Sequence, residues 1–277
     1  LLARGGMGAV YIAEQVSTGK RRALKVMLAD ILQDEGARER FMEEARATAS
    51  IESDHVVETV AAGIDEDTQT PWLAMELLKG ITLEDQIAAD PTWGRQHARS
   101  LMAQLGHALG ATHRAGVIHR DVKPANLFLE APRRSDVVFT TKLLDFGIAK
   151  ATGGRRVTSS TRAVGTPWWM SPEQAQEGSS LSPTSDVWAY GLVAFYVLTG
   201  REFWRTAHVP EPSMGAVLRE MLVEPIPSAE ARAEAMGLAG ALPSGFDDWF
   251  VHCVAHDPAA RFRDGAAAAG AFAALYR

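Results

Sequence analysis

The sequence predicts an α+β protein in two unequal parts, a small β-rich part with one helix followed by a larger and mainly helical part. In residues 1–78, short runs of apolar and β-branched residues alternate with turn-forming stretches. From residue 79 to 277, most apolar residues recur at helical spacing. With 277 residues, 47% hydrophobic and 22% charged, the chain is long enough for two coupled lobes with a substantial core.

Each part divides into elements that can be placed on the sequence. The first part has strands at GAVYIAE, RRALKVML, VVETVAAGI and PWLAMELL, turns at STGK and DEDTQT, and a helix at EGARERFMEEARATAS. The second part has helices at RQHARSLMAQLGHALGATHRAG, SDVWAYGLVAFYVL and GAAAAGAFAALY. Between them, FLEAPRRSDVVFTTKLLDFG predicts a hairpin with an exposed tip at EAPRRSD. The apolar run 187–198 is shorter than the roughly 20 residues that span a bilayer, so it predicts a buried helix.

Charge and cysteine content narrow the possible partners. A net charge of -6 argues against a chain that mainly neutralises a nucleic-acid backbone. The single cysteine, Cys253, can form neither an internal disulfide nor a CxxC metal site, and we expect a buried thiol. With no signal-like start and no spanning segment, we expect a cytoplasmic domain without membrane contact, which a longer chain could still anchor to a membrane.

The segment HRDVKPANLFL combines an acid, a cation and an amide at short spacing. Asp121 can accept a proton or orient a hydroxyl, and Lys123 can neutralise a phosphate. Asn126 offers an oxygen to a hard cation. Phosphoryl transfer needs all three functions in one place, so the segment predicts a phosphoryl-transfer loop.

Residues on either side of this loop complete a candidate phosphate site. In KLLDFG, Asp145 follows an apolar strand, where its carboxylate can meet the same metal ions. Lys25 lies on the strand ALKV and can reach nucleotide phosphates, while Glu44 on the following helix can hold Lys25 by an ion pair. Three glycines occupy the turn between the first two strands, where backbone amides can approach phosphates: Gly5, Gly6 and Gly8.

Together these motifs resemble the eukaryotic-type protein kinase family, and GGMGAVY, DFGIAK and GTPWWMSPEQA resemble its bacterial serine/threonine members. The resemblance covers essentially the whole chain, in the family's order. It implies the two-lobed protein kinase fold, with residues 1–78 as an N-lobe with one regulatory helix and residues 79–277 as the C-lobe. It also implies a serine/threonine protein kinase that uses ATP and Mg²⁺.

The resemblance also implies a role for each site residue. In the chemistry, Asp121 is the catalytic base, Lys123 supports the transferred phosphate, Lys25 binds the α- and β-phosphates and pairs with Glu44, and Asn126 and Asp145 bind Mg²⁺. Around the adenine lie Val10 and Ala23 above, Phe128 below, the gatekeeper Met75, and the hinge residues Glu76 and Leu78. Two roles are structural: Asp186 braces the catalytic loop, and Glu173 pairs with Arg261.

Serine and threonine hydroxyls of proteins are the implied acceptors, because Lys123 and Thr166 fit that pattern, with Thr166 in the substrate groove. Ala125 stands where several basic-peptide kinases of the family carry an acidic residue, so we expect no preference for arginine near the acceptor. The segment 165–173 resembles an element that seats a protein substrate, which disfavours a small-molecule phosphotransferase. The remaining alternative is a pseudokinase scaffold that binds nucleotide without transfer, which the complete set of catalytic side chains disfavours.

The segment RVTSSTR places hydroxyls where members of this family are commonly switched by phosphorylation. Thr158 and Ser160 are the expected sites. A phosphate there would order the loop and pull Glu44 toward Lys25. Self-association of two chains would allow this phosphorylation in trans. Three side chains could form the cationic pocket for the phosphate: Arg40, Arg120 and Lys150.

Two threonines fall in the hydrophobic column that links the lobes in this family. Counting from Glu44 gives Thr48, and counting along SDHVVET gives Thr59. Their hydroxyls supply less apolar contact than leucine, so we expect a loosely docked helix and a favoured inactive state. A register shifted by one residue would instead turn Thr59 outward.

Overall fold

The structure is a computed structural model and describes residues 1–5, 8–28, 35–131, 137–146, 167–176 and 178–277. These ranges form an N-terminal five-stranded sheet with one helix, followed by a mainly helical region. The predicted α+β class and its order of elements are therefore confirmed. One hydrophobic core runs through both regions.

The N-terminal sheet is antiparallel, with the strand order β1-β2-β3-β5-β4. Its strands are β1 (Ala3–Gly5), β2 (Gly8–Gln15), β3 (Lys20–Met27), β4 (Thr59–Ile64) and β5 (Pro71–Glu76). The β2–β3 turn ends at Gly19, whose φ of 65° suits a residue without a Cβ. Because side chains alternate along a strand, Lys25 and its neighbour Leu24 lie on opposite faces of the sheet.

Helix α1 (Glu35–Ala49) covers one face of this sheet. Its buried residues recur at helical spacing, so one stripe packs inward while charged residues point outward. They are Ala37, Phe41, Ala45 and Thr48. The helix packs on β4 and places Glu44 near the junction with the second region.

A small sheet and a backbone link join the two regions. This sheet has the order β6-β7-β8, formed by β6 (Gly80–Thr82), β7 (Leu127–Glu130) and β8 (Thr140–Leu143). Ahead of β4, the Val57 amide donates to the Leu143 carbonyl at 3.1 Å, and the Leu143 amide donates to the His55 carbonyl at 2.8 Å. The N-terminal region is thus tied to β8 by hydrogen bonds as well as by the chain itself. The tip of the predicted β7–β8 hairpin, residues 132–136, lies outside the described residues.

The helical region is built around a central helix that is buried along its length. Its helices are α2 (Leu83–Ala89), α3 (Trp93–Arg114), α4 (Pro183–Thr199), α5 (Met214–Leu222), α6 (Ala229–Ala235), α7 (Phe246–Val251) and α8 (Gly265–Ala274). Helix α4 is apolar on all sides and buried throughout 185–199, which confirms the buried helix predicted there. It ends at Gly200, whose φ of 70° forms a left-handed cap. Cys253 is a buried free thiol, as predicted.

The described helices differ in length and polarity. None of them is long and apolar enough to cross a bilayer.

Candidate active site

The loop after helix α3 is held by a buried carboxylate from helix α4. The Asp186 carboxylate accepts hydrogen bonds from the backbone amides of His119 and Arg120 at 2.8 and 2.9 Å. His113 Nε2 lies 2.9 Å from the same carboxylate. Asp186 is 1% exposed, so these hydrogen bonds replace the water it loses. The predicted bracing role of Asp186 is confirmed, and it fixes the backbone next to Asp121.

The predicted catalytic residues Asp121 and Lys123 and the predicted metal ligand Asn126 meet in this loop. The Asp121 carboxylate accepts from Lys123 Nζ at 2.9 Å and from Asn126 Nδ2 at 2.9 Å. Asn126 Nδ2 also donates to the Asp121 carbonyl at 2.8 Å. The amide oxygen of Asn126 accepts no hydrogen bond from any described residue. The loop therefore holds a carboxylate, a cation and an amide oxygen within contact distance.

Lys25 and Glu44 each form an ion pair with the helical region, and neither pair is the predicted one. Lys25 Nζ lies 2.7 Å from Asp145 Oδ1, and Glu44 Oε1 lies 2.7 Å from the Arg120 guanidinium. The predicted Lys25–Glu44 pair is wrong for this conformation, because the position of helix α1 sets Glu44 against Arg120. Burial raises the pKa of the Glu44 carboxyl, and the Arg120 charge acts in the opposite direction.

The two residues that pair with Glu44 and Lys25 here, Arg120 and Asp145, both have a strained backbone. Arg120 has a φ of 66° and Asp145 a φ of 53°, both in the left-handed region that non-glycine residues rarely adopt. Such residues are costly and collect at functional sites. Phe146, which follows Asp145, is buried against the His119 ring at a centroid distance of 4.7 Å.

His119 stacks beneath the catalytic loop as a neutral ring. Its Nε2 donates to the Leu144 carbonyl at 2.8 Å, and its Nδ1 accepts from the Asp121 amide at 3.3 Å. Burial lowers the pKa of His119, since a charged imidazole would lose its hydration there. The ring therefore supports the Asp121 and Asp145 segments at once.

The residues predicted to form the nucleotide pocket lie on the face of the N-terminal sheet that carries Lys25 and on the small sheet. Val10 lies opposite Lys25, and Ala23 lies opposite Met75. Phe128 lies on β7, opposite Thr82, with its ring against Gly80. The predicted hinge begins at Glu76, the last residue of β5. The Glu76 amide donates to the Glu58 carbonyl at 3.0 Å, and the Glu76 carboxylate lies 2.7 Å from Lys142. Leu78 packs on the core.

The glycine-rich turn is described on both of its strands. Gly5 ends β1 and pairs with Gly8, which begins β2. A Cβ on Gly8 would lie 2.1 Å from the Val26 carbonyl oxygen, so only glycine fits there. Several predicted site residues lie outside the described residues: Gly6, Gly147, Lys150, Thr158, Ser160 and Thr166.

A cavity of about 560 Å³ lies on the opposite face of the N-terminal sheet. Its lining includes Leu24, Val26, Ala74 and Trp72, which point away from Lys25. This cavity is therefore separate from the cluster around Asp121.

The two threonines of the predicted column are both turned inward. Thr48 is 3% exposed, and Thr59 begins β4 opposite Met75. Their hydroxyl oxygens are buried and have no hydrogen-bond partner among the described residues. The shifted register, which would turn Thr59 outward, is therefore wrong.

The predicted pair behind the substrate segment is also present. Arg261 donates to both oxygens of Glu173 at 2.8 and 3.0 Å, with its side chain fully buried. Burial tends to raise the Glu173 pKa, yet the hydrogen bonds from Arg261 and Ser185 lower it overall. The fork geometry anchors the Pro172–Ala175 turn to the segment between helices α7 and α8.

Sequence reasoning missed two features of this region. Arg120 was expected in a phosphate pocket, yet it binds Glu44 here. The other is a group of polar side chains that no local motif marks: Glu84, Tyr196 and Glu202. Glu84 also interacts with Lys123 of the catalytic loop. The members of this group come from segments far apart in the chain, so only the fold brings them together.

Comparisons with known proteins agree with this geometry. The protein kinase domain family matches residues 1–267. The chain is 39% identical over 204 residues to serine/threonine-protein kinase pkn2 of Myxococcus xanthus, covering 72% of this chain and 24% of that protein. It is 32% identical over 280 residues to serine/threonine-protein kinase PknA of Mycobacterium tuberculosis, covering 99% of this chain and 60% of that protein.

The fold has close counterparts among solved structures. The kinase domain of PknI from Mycobacterium tuberculosis superimposes with a TM-score of 0.72 at 23% identity, covering 99% of this chain and 93% of that one. The chain thus spans about a quarter to three fifths of the length of the curated relatives compared above.

Proposed function

Since this chain belongs to the protein kinase domain family, we propose that it transfers the γ-phosphoryl group of ATP to serine and threonine hydroxyls of proteins. The observation that carries this proposal is the cluster in which Asp121 contacts both Lys123 and Asn126. Little covalent chemistry is required of a kinase, because the reaction depends on positioning and on charge stabilisation. This cluster supplies both at one point.

We assign the chemistry to the described side chains. Asp121 orients the acceptor hydroxyl and takes its proton as the oxygen attacks phosphorus. Lys123, 2.9 Å from that carboxylate, sits beside the attacking oxygen and stabilises the charge that develops on the transferred group. Lys25 holds the α- and β-phosphates of the nucleotide.

Asn126 and Asp145 would hold Mg²⁺, because an amide oxygen and a carboxylate are the hard oxygen donors that this cation prefers. Mg²⁺ supplies neutralisation of the phosphate charge when it is bound with ATP. We place the phosphates under the turn formed by Gly5, Gly6 and Gly8. The adenine lies among Val10, Ala23, Phe128, Met75, Glu76 and Leu78 on the inner face of the sheet.

The observed ion pairs suggest how the enzyme is switched. Glu44 must leave Arg120 to reach Lys25, as a competent kinase site requires. A phosphate on Thr158 or Ser160 carries up to two negative charges and can displace the single Glu44 carboxylate from Arg120. Thr166 stays assigned to the substrate groove. A second copy of the chain is the expected source of such phosphorylation.

We also propose how the two lobes are divided, which partners the chain has and where in the cell it lies. Residues 1–78 form the N-lobe and 79–277 the C-lobe, which close around the nucleotide. Protein substrates are the partners, with no role for nucleic acid at a net charge of -6. We place the domain in the cytoplasm, where ATP is available.

Two substitutions test the chemistry. Asp121→Asn and Lys25→Met should each lower autophosphorylation by a factor of about 100 to 10,000, because each removes a positioned group. The measurement is incorporation of labelled phosphate from Mg-ATP into the purified domain. Matched controls are Asp67→Asn in an exposed turn and Lys20→Met at the exposed end of β3, which should behave as wild type.

The controls make the result interpretable. Wild-type rates in both catalytic variants would refute the assignment of these residues. Nucleotide binding by the wild-type chain, without transfer to itself or to any protein, would favour the scaffold alternative.

A further inference from the structure

The cavity of about 560 Å³ in the N-terminal region lies on the face of the sheet opposite Lys25. We call this face the outer face and the cavity the outer cavity. Because side chains alternate along β3, Leu24 and Val26 point to the outer face and Lys25 between them does not. The volume falls in the range of about 300 to 1,000 Å³ that is usual for small-molecule sites. Most of its lining is apolar: Ala13, Leu24, Val26, Val60, Trp72 and Ala74.

The shape of the outer cavity is built into strand β4. Gly63 lies opposite Trp72 in the β4–β5 pairing, and a Cβ on Gly63 would lie 2.6 Å from Cζ2 of the Trp72 ring. The indole therefore lies against bare backbone, in space that any larger residue at position 63 would fill. The register also shifts between Thr59 and Ala61. A bulge of this kind bends its strand and increases the twist, which contributes to the curvature of the sheet beside the cavity.

One cation of the outer cavity has no ionic partner. The Arg22 Nε donates to the Gln15 side chain at 3.2 Å, which holds the guanidinium in place. Arg22 forms no ion pair with any residue that the structure describes, and its terminal nitrogens donate to none of them. By contrast, Arg120 and Arg261 each bind a carboxylate. The remaining N–H donors of Arg22 are therefore available to a ligand.

The carboxylates near the outer cavity are engaged elsewhere or lie apart from Arg22. Glu76, opposite Arg22 on β5, lies 2.7 Å from Lys142. Glu14 also borders the cavity, but side chains alternate along β2 and its carboxylate does not contact Arg22. Asp65 lies beyond the other end of β5, whose six residues span about 20 Å. Over that distance solvent ions largely screen its charge. Positive charge therefore remains at one end of an apolar cavity.

This combination selects the chemistry of the ligand. The indole of Trp72 and the aliphatic side chains offer a surface to an apolar body. The guanidinium of Arg22 presents its donors in a planar fork that matches a carboxylate or a sulfonate. A nucleotide carries several negative charges, whereas Arg22 is the one cation among the described lining residues. The cavity therefore suits a molecule with an apolar body and a single anionic group.

We propose that the outer cavity binds a small organic acid, with its apolar body against Leu24, Val26 and Trp72 and its anionic group on Arg22. The site goes beyond the proposed kinase function and does not depend on it, because it lies on the other face of the sheet from Lys25. Its tests measure binding without ATP, so loss of kinase activity would leave them unaffected.

The first experiment uses two fluorescent probes with the same ring system. Anilinonaphthalene sulfonate carries one anionic group, and phenylnaphthylamine lacks it; both gain fluorescence in apolar surroundings. Titration of the chain with each probe gives its Kd, and we expect saturable binding of both. Absence of saturable binding for both probes would overturn the inference.

Variants of the cavity assign the bound probe to this site. Arg22→Gln should weaken the sulfonate about tenfold and leave the uncharged amine unchanged. Ala74→Phe fills the cavity and should weaken both probes by at least about tenfold. The control Arg21→Gln, at the neighbouring exposed position of β3, should bind both probes as wild type does.

Two results would contradict this assignment. One is an unchanged affinity for both probes in a folded Ala74→Phe chain, as judged by thermal unfolding. Should that variant unfold, Ala61→Phe fills the cavity from an exposed position on the edge strand β4 and gives the same test. The other is an equal loss of both probes in Arg22→Gln, which would show that Arg22 does not bind the anionic group.

Competition and sedimentation then identify the occupant. Naphthylacetate and decanoate compete with the sulfonate probe, and the stronger competitor distinguishes an aromatic acid from an aliphatic one. Competition by neither would overturn the inference. Sedimentation equilibrium at the concentrations of the titration should show a monomer with the probe bound. A dimer that Ala74→Phe dissociates, with probe binding confined to the monomer, would assign the outer cavity to a second copy of the chain and overturn the inference.

Discussion

One buried ion pair of the helical region and the two ion pairs that join Lys25 and Glu44 to that region have opposite characters. Arg261 and Glu173 form a two-point contact with the Arg261 side chain fully buried. Between the lobes, the Lys25–Asp145 and Glu44–Arg120 pairs each rest on one short contact and keep 19 to 39% of their side-chain surface exposed. Breaking the Arg261–Glu173 pair would leave a buried charge without a partner. The Lys25–Asp145 and Glu44–Arg120 pairs are partly exposed to water, so their members can exchange partners.

This difference separates a rigid part, the helical region with the catalytic loop, from a part that can rearrange, the N-terminal region with Lys25 and Glu44; we call them the fixed base and the adjustable top. Ion pairs that are exposed to solvent contribute only about 0 to 1 kcal/mol to the free energy of unfolding, so an exchange of partners costs little. The catalytic loop belongs to the fixed base through Asp186, whereas Lys25 and Glu44 belong to the adjustable top. The phosphorylation proposed above would therefore need to shift only the partly exposed Lys25–Asp145 and Glu44–Arg120 pairs.

The largest expected effect is a loss of stability when the buried Arg261–Glu173 pair is broken. Arg261→Met should lower the free energy of unfolding by about 3 to 5 kcal/mol, because it leaves the Glu173 carboxylate buried without its partner. Urea unfolding of wild type and variant measures this loss. Arg263→Met is the matched control, since Arg263 is 86% exposed and should change stability by less than about 0.5 kcal/mol. A loss at Arg261 no greater than at Arg263 would remove the distinction between the two regions.

A smaller effect is expected at the lobe junction. Thr48→Val with Thr59→Val should raise stability by about 2 kcal/mol in total, because each removes a buried hydroxyl without a partner. The comparison is Thr112→Val in helix α3, whose hydroxyl donates to the Ala108 carbonyl at 2.9 Å and which should gain nothing. Thermal and urea unfolding measure all three proteins, and a less stable double variant would contradict the prediction.

The same substitutions have a consequence for activity. Only the part of this gain that favours the arrangement with Glu44 near Lys25 over the one with Glu44 on Arg120 should raise activity, and about 1 kcal/mol of such a difference raises the active population of unphosphorylated enzyme up to about fivefold where that state is rare. Peptide phosphorylation by phosphatase-treated protein measures it. The larger pair Thr48→Leu and Thr59→Leu should act in the same direction.

The smallest effect concerns pH. Burial lowers the pKa of His119 and of His55, so each takes up a proton more readily when the chain is unfolded. The stability that each histidine contributes is therefore fully present above the unfolded pKa of about 6.5 and is lost as the pH falls below it, with an upper limit of about 1.4 kcal/mol for each histidine at pH 5.5.

Urea unfolding between pH 7.5 and pH 5.5 tests this sign. His55→Gln removes one of the two groups and should show a shallower pH dependence than wild type. The measurement stops at pH 5.5 because burial raises the pKa of Glu44 and Glu84, which act in the opposite direction nearer pH 4.5. Constant stability over this range would show that both histidines can charge in the folded chain.

The strands and long helices could be predicted from the sequence because their signals are local. Helix α1 and helix α4 begin and end within a few residues of the predicted runs, since periodicity and capping act within one or two turns. The cluster of Asp121, Lys123 and Asn126 could also be predicted, because six residues of one tight loop fix their spacing. The inward side of Thr59 followed from counting along a single strand.

The pairing of charges was decided by the tertiary structure alone. Lys25, Glu44, Arg120 and Asp145 offer more than one set of opposite-charge pairs, and the alternatives differ by about 1 kcal/mol, so the position of helix α1 selects among them. Glu84 and Tyr196 are separated by more than a hundred residues, and packing against the catalytic loop brings them together. The sequence by itself determined the fold and the reacting groups, because those depend on local pattern and on the identity of side chains. The fold alone decided which charges meet, because contact energies between distant segments leave no periodic trace in the chain.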